Sequence, residues 1–96
     1  MPKPPRDDSG GKAAFDAGTV ETMQVLFGEN FRQARTKAGL TQRDIEAHTG
    51  IKQAYISQIE GGKQNPTLGT MMALAHAVGK DVRVLLKQPT SSTKQK

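Results

Sequence analysis

Residues 41–61, TQRDIEAHTGIKQAYISQIEG, leave few options open: local rules cut this stretch into two short helices around a tight turn. Thr41 can cap the first helix with its hydroxyl, and Asp44 stands three residues on, the spacing of a capping box. Ile45 and Thr49 take that helix's inward positions. Gly50 supplies the left-handed residue that ends it, and Ile51 drops back toward the core. A second helix then runs from about Lys52 to Glu60 and stops at Gly61-Gly62. Helical spacing gathers Tyr55, Ile56 and Ile59 on one side of it. Gln53, Ala54, Ser57 and Gln58 fall on the other, with Gly61 continuing the arc.

That outer face is small, amide-rich and uncharged. A glutamine side chain carries a donor beside an acceptor, so it can bond bidentately to an adenine edge, and small neighbours let a helix approach the floor of the major groove. Two exposed glutamines alone are ordinary solvated residues. On the second helix of such a pair, in a basic chain, they become candidate base readers.

The chain of 96 residues has a net charge of +5 and a pI near 9.8, a balance that suits an anionic partner. The charge is uneven. Residues 1–26 carry three Lys/Arg against four Asp/Glu, residues 27–63 six against four, and residues 64–96 five against one. A single domain of this length has a core too small for an elaborate active site. With no cysteine, disulfides and thiolate metal sites are excluded. No apolar run follows Met1, so neither a signal peptide nor a membrane span is expected, and a cytoplasmic setting is.

Taken in order, residues 1–18 are rich in Pro, Gly and charge and read as a disordered arm; Lys3, Arg6 and Lys12 suit a minor-groove role that Asp7 and Asp8 oppose. Residues 19–26 fit either a backward extension of the next helix, through Val20, Met23 and Phe27, or a strand-like arm. Residues 27–38 form a helix with an apolar stripe of Phe27, Phe31, Ala34 and Ala38, ended by Gly39. Arg35 lies on its core side and needs a partner. Beyond the two-helix unit, Thr67 caps a helix reaching about Val78, closed by Gly79, with Leu68, Met71, Met72, Ala75 and Val78 as its face and Leu74 beside it. Asp81 caps a short last helix that buries Val82, Leu85 and Leu86 and leaves Val84 out. Residues 87–96 read as a disordered basic tail.

Together, Arg35, Gly39-Leu40-Thr41-Gln42, Gly50-Ile51, Ile56-Ser57, Ile59-Glu60, Asn65-Pro66-Thr67-Leu68, Leu74-Ala75 and Val78-Gly79 resemble the Cro/lambda-repressor-type (XRE) helix-turn-helix family over about residues 27–86. The resemblance implies an all-α, compact five-helix lambda-repressor-like domain over residues 19–86, between the two tails. It implies a structural salt bridge between Arg35 and Glu60, tying the first helix to the end of the reading helix. The implied function is sequence-specific binding of double-stranded DNA for transcriptional regulation, as a homodimeric repressor on a near-palindrome. Base contacts are expected from Gln53, Ala54, Ser57 and Gln58. Phosphate contacts are expected from Gln42, Arg43, Lys52, Tyr55, Lys63 and Thr67. In related proteins the last helices often form the dimer interface, which makes Val84 a candidate contact. Two residues depart from the family pattern. Glu46 stands where alanine is usual and must reach solvent or a cation; Lys52 replaces a capping serine or threonine.

No enzyme is expected and no cofactor. His48 and His76 lie on different helices without metal-ligand spacing, and no nucleophile elbow accompanies Asp44, His48 and Ser57. Gly61-Gly62-Lys63 follows a helix rather than opening one, unlike a phosphate loop. Two rival readings remain: an antitoxin that represses its own operon and binds a toxin through its flexible ends, and a helical protein-interaction module without DNA binding. The uncharged recognition face disfavours the second.

Overall fold

The computed structural model describes residues 17–88. The expectations of an arm over residues 1–18 and a tail over 87–96 therefore fall almost entirely outside the described residues. Within them, five helices follow one another: α1 (Ala17–Lys37), α2 (Gln42–Thr49), α3 (Gln53–Glu60), α4 (Leu68–Ala77) and α5 (Val82–Leu85). None of the helices is long and apolar enough to cross a membrane.

Residues 19–26, open between helix and strand in the sequence, are helical and run unbroken into residues 27–37, so α1 spans 21 residues. Phe27 and Phe31 lie one turn apart with ring centroids 6.3 Å from each other, and both are buried. The helix ends at Gly39, whose φ of 77° lets the Leu40 N–H fold back to the Arg35 carbonyl at 3.0 Å. Ala38 is exposed, which corrects its place in the apolar stripe: the chain leaves the helix at Lys37, and Ala38 turns out past the core.

The two-helix unit follows its local rules. Thr41 Oγ1 accepts from the Asp44 N–H at 3.0 Å and Asp44 Oδ2 from the Thr41 N–H at 2.8 Å, the reciprocal pair of a capping box. Gly50 closes α2 at φ 78°, where a side chain would be strained, and its N–H bonds the Glu46 carbonyl at 2.8 Å. Thr49 Oγ1 donates to the Ile45 carbonyl at 2.7 Å and accepts from the Ile51 N–H at 3.1 Å, fixing the turn from inside.

The core contains Phe27, Phe31, Ile45, Ile56, Ile59, Leu74, Ala75, Val78 and Leu85, with contributions from all five helices. Each large side chain there contributes about 1.5–3 kcal/mol by burial. The expected face of α4 is corrected. Leu74 is fully buried, whereas Leu68 and Met72 are 59% and 53% exposed. The buried stripe runs Met71, Leu74, Ala75 and Val78, an i, i+3, i+4, i+7 set that turns Met72 away. On α5, Leu85 is buried, Val82 and Leu86 are half-buried, and Val84 faces out.

Two features set the position of α3. Gly28 lies against its C-terminal end; a Cβ there would overlap the Ile59 carbonyl oxygen and sit 3.0 Å from that of Glu60. So α1 and α3 meet backbone to backbone, an approach only glycine permits. One turn earlier, Val25 packs on Gly62, and Gln24 Nε2 donates to the Gly62 carbonyl at 3.4 Å. The early turns of α1, absent from the expected 27–38 helix, thus buttress the loop just after α3.

Candidate nucleic-acid interface

The outward face of α3 exists because the opposite face is spent on the core. Ile56 and Ile59 are fully buried and Tyr55 half-buried, which turns Ala54, Ser57 and Gln58 to solvent. These three of the four expected base-reading residues stand together at i, i+3 and i+4. Gln53 sits lower, half-buried at the helix start, in a depression it shares with Arg43, Glu46 and Ala47.

Of the expected phosphate-contacting residues, Arg43, Lys52, Lys63 and Thr67 are exposed. Thr67 also serves its own helix, accepting from the Thr70 N–H at 3.1 Å. Tyr55 keeps part of its surface. Gln42 differs from expectation, because its side-chain amide points inward and donates to Glu60 Oε1 at 3.0 Å. At the start of α2 the Thr41 and Asp44 N–H groups are taken by the capping box.

Behind this face lies an ion pair. Arg35 Nε donates to Glu60 Oε2 at 2.6 Å and Nη2 to Glu60 Oε1 at 2.9 Å, while Nη1 bonds the Leu40 carbonyl at 2.9 Å. The two side chains are only 12% and 5% exposed. A guanidinium forked onto a carboxylate in this way is both strong and directional. The Glu60 hydrogen bonds hold the Arg35 proton more tightly than usual. The pair joins α1, the turn before α2 and the end of α3, and it neutralises the Glu60 carboxylate at the end of α3.

Four residues escaped the sequence reading. Gln64, in the loop after α3, donates its amide to Gln58 Oε1 at 2.6 Å, so one candidate base reader is oriented by its neighbour. Asn30 Nδ2 donates to the carbonyls of Leu85 and Lys87, both at 2.9 Å, tying the end of α5 to α1. Gly28 had a signal in the sequence: a glycine inside an otherwise apolar-periodic helix often marks close backbone approach. Gln24 had none.

His48 and His76, kept apart by sequence spacing, line one groove with Thr49, Ala73 and Ala77. Among the described residues no group of three or more potential metal ligands occurs.

A family model described as helix-turn-helix matches residues 31–85. An uncharacterised HTH-type transcriptional regulator, y4dJ of Sinorhizobium fredii, is 44% identical over 71 residues, covering 74% of this chain and 91% of that protein. Control protein C.SmaI of Serratia marcescens is 31% identical over 64 residues, with 67% of this chain and 76% of the relative covered. Among solved structures, the restriction-modification controller protein C.AhdI from Aeromonas hydrophila superposes with a TM-score of 0.62 at 32% identity, over 65% of this chain and 94% of its own.

Proposed function

The chain belongs to the helix-turn-helix family of DNA-binding transcription regulators, and from that premise we propose that it is a repressor that reads a near-palindromic operator as a homodimer. The observation that carries this reading is the face of Ala54, Ser57 and Gln58: exposed, uncharged, and mounted on a helix fixed by Gly28 and the Arg35–Glu60 pair. In this reading α3 enters the major groove. Gln53 and Gln58 take adenine edges, Ala54 a thymine methyl, and Ser57 an adjacent base. Arg43, Lys52, Tyr55, Lys63, Thr67 and the start of α2 at Gln42 hold the flanking phosphates.

One such helix covers only a few base pairs, so two copies are needed, with half-sites centred about 10–10.5 base pairs apart or a multiple of that. Val84, 46% exposed on α5, is the candidate contact between copies.

A second reading concerns the target rather than the chemistry. The likeness to the restriction-modification controller protein C.AhdI, beside that to control protein C.SmaI, favours a regulator of a restriction-modification locus. The first reading is tested by selection from a random duplex library, and the second by whether the selected site occurs upstream of restriction-modification genes. Enrichment of a two-fold-symmetric site, with affinity that falls steeply as salt rises, supports the homodimeric regulator. Salt-sensitive binding indifferent to sequence contradicts it.

A further inference from the structure

Glu46 and Lys52 each look misplaced alone, and the structure joins them. Helix α3 starts at Lys52, whose extended backbone (φ −64°, ψ 141°) is that of an N-cap but whose side chain makes no cap hydrogen bond. The first N–H groups of a helix have no partner within it, and a Ser, Thr, Asp or Asn at the cap ordinarily accepts from one of them. Here the acceptor comes from another helix. The Gln53 N–H donates to Glu46 Oε1 at 3.0 Å, and Glu46 Oε2 lies 4.0 Å from Lys52 Nζ.

Magnitudes separate the two contacts. The Lys52 side chain is 83% exposed and the pair is at the limit of ion-pair distance, so the contact contributes little. The bond to the Gln53 N–H is charge-assisted and lies at the positive end of the α3 dipole, with the Glu46 side chain 36% exposed. The cap is therefore the dominant role of the carboxylate.

We infer that Glu46 is a positioning residue for the DNA-reading helix: its carboxylate, supplied from α2, caps α3 and fixes the turn that carries Gln53 and Ala54 relative to α2. This rests on the assignment of α3 as the reading helix. A serine at the N-cap would fix only α3's own first turn. A cap from α2 fixes the angle between the two helices, and with it the approach of α3 to the bases. The same carboxylate occupies the depression beside Arg43 and Gln53, where it disfavours a phosphate at the start of α3. Glu46 thus trades overall affinity for sequence discrimination.

The test compares the full chain with Glu46→Ala, Glu46→Gln and the double variant Glu46→Ala/Lys52→Ser. Two quantities are read: amide hydrogen exchange at Gln53, and the ratio of affinities for the selected duplex and a scrambled duplex at one salt concentration. Loss of a cap of ordinary strength corresponds to about a five-fold change, so Glu46→Ala should speed Gln53 exchange and lower the ratio by about that factor. Lys52→Ser supplies an acceptor only within α3's own first turn, to the Ala54 or Tyr55 N–H, so it should leave Gln53 exchange fast and the ratio low. Glu46→Gln keeps an acceptor and loses the charge; it should preserve the ratio while tightening binding to both duplexes. Unchanged exchange in Glu46→Ala overturns the cap. Faster exchange with an unchanged ratio overturns the positioning role, as does a ratio that Lys52→Ser restores. A wild-type ratio of one defeats the DNA-reading assignment itself and the positioning role with it, a result distinct from a large ratio that Glu46→Ala leaves intact.

Discussion

Glu60 receives hydrogen bonds from both Arg35 and Gln42 while its side chain is 5% exposed. Removing Glu60 leaves the Arg35 guanidinium charged and largely shielded from solvent, with its carboxylate gone and the Leu40 carbonyl remaining. Glu60→Ala should therefore cost about 3–5 kcal/mol, read as a lowered midpoint in chemical denaturation. A shift within error of wild type would contradict the structural role. By comparison, the Glu29–Arg32 pair, with side chains 47% and 48% exposed, should contribute almost nothing measurable. Exposure separates these two ion pairs. The importance of Arg35 was legible in the sequence, since an arginine one turn after Phe31 cannot sit on the core side without a partner. Its partner was legible only through family resemblance, because the two residues lie 25 positions apart. Glu46 was readable as a misfit but not as a cap, because nothing in the sequence shows which N–H it meets.

At the scale of elements, the backbone contact between α1 and α3 makes its own prediction. Gly28→Ala adds a methyl group where the Ile59 carbonyl already stands, so the helices must separate. The expected cost is about 1–3 kcal/mol, despite alanine's better helix propensity. A stabilised Gly28→Ala protein in thermal melting would show that the helices do not meet there. The caps predict an acid limit. Backbone and side-chain hydrogen bonds from Thr41 lower the Asp44 pKa, and those from Arg83 lower that of Asp81. A depressed folded-state pKa gives stability that is present above the unfolded value, about 3.9, and lost as pH falls through the folded one. The carboxylate-dependent loss should thus appear only below about pH 4 in thermal midpoints; midpoints unchanged from pH 5 to about pH 2.5 would contradict it. These caps were legible because they are local, each closed within two or three residues. The face of α4 was not. With the alanines at 73 and 77 added to residues 68, 71, 72, 74, 75 and 78, apolar side chains cover most of that helix's circumference, so periodicity alone cannot choose the buried side.

Viewed whole, the molecule supports the exposed face of α3 from behind, through Gly28 and the Arg35–Glu60 pair, and has a separate, partly apolar face on α5. Val84 lies in a groove with Ala34 and Leu85, rimmed by Lys37, Lys80 and Lys87. If two copies meet here, a fourth cation should oppose them. Val84→Lys should weaken the dimer at least about ten-fold in sedimentation, roughly 1.4 kcal/mol, and leave the fold intact. An undisturbed dimer would place the contact elsewhere. The central claim, that α3 reads bases from the major groove, has a more direct test. On the selected duplex, each adenine is replaced in turn by 7-deazaadenine, which removes the major-groove N7 acceptor and leaves the minor groove unchanged. Affinities are then measured for wild type, Gln53→Ala and Gln58→Ala. At the adenine that each glutamine reads, the replacement should cost wild type about 1–3 kcal/mol and cost the matching glutamine variant almost nothing. Equal losses in all three proteins, or no loss at any adenine, would contradict glutamine readout from that helix.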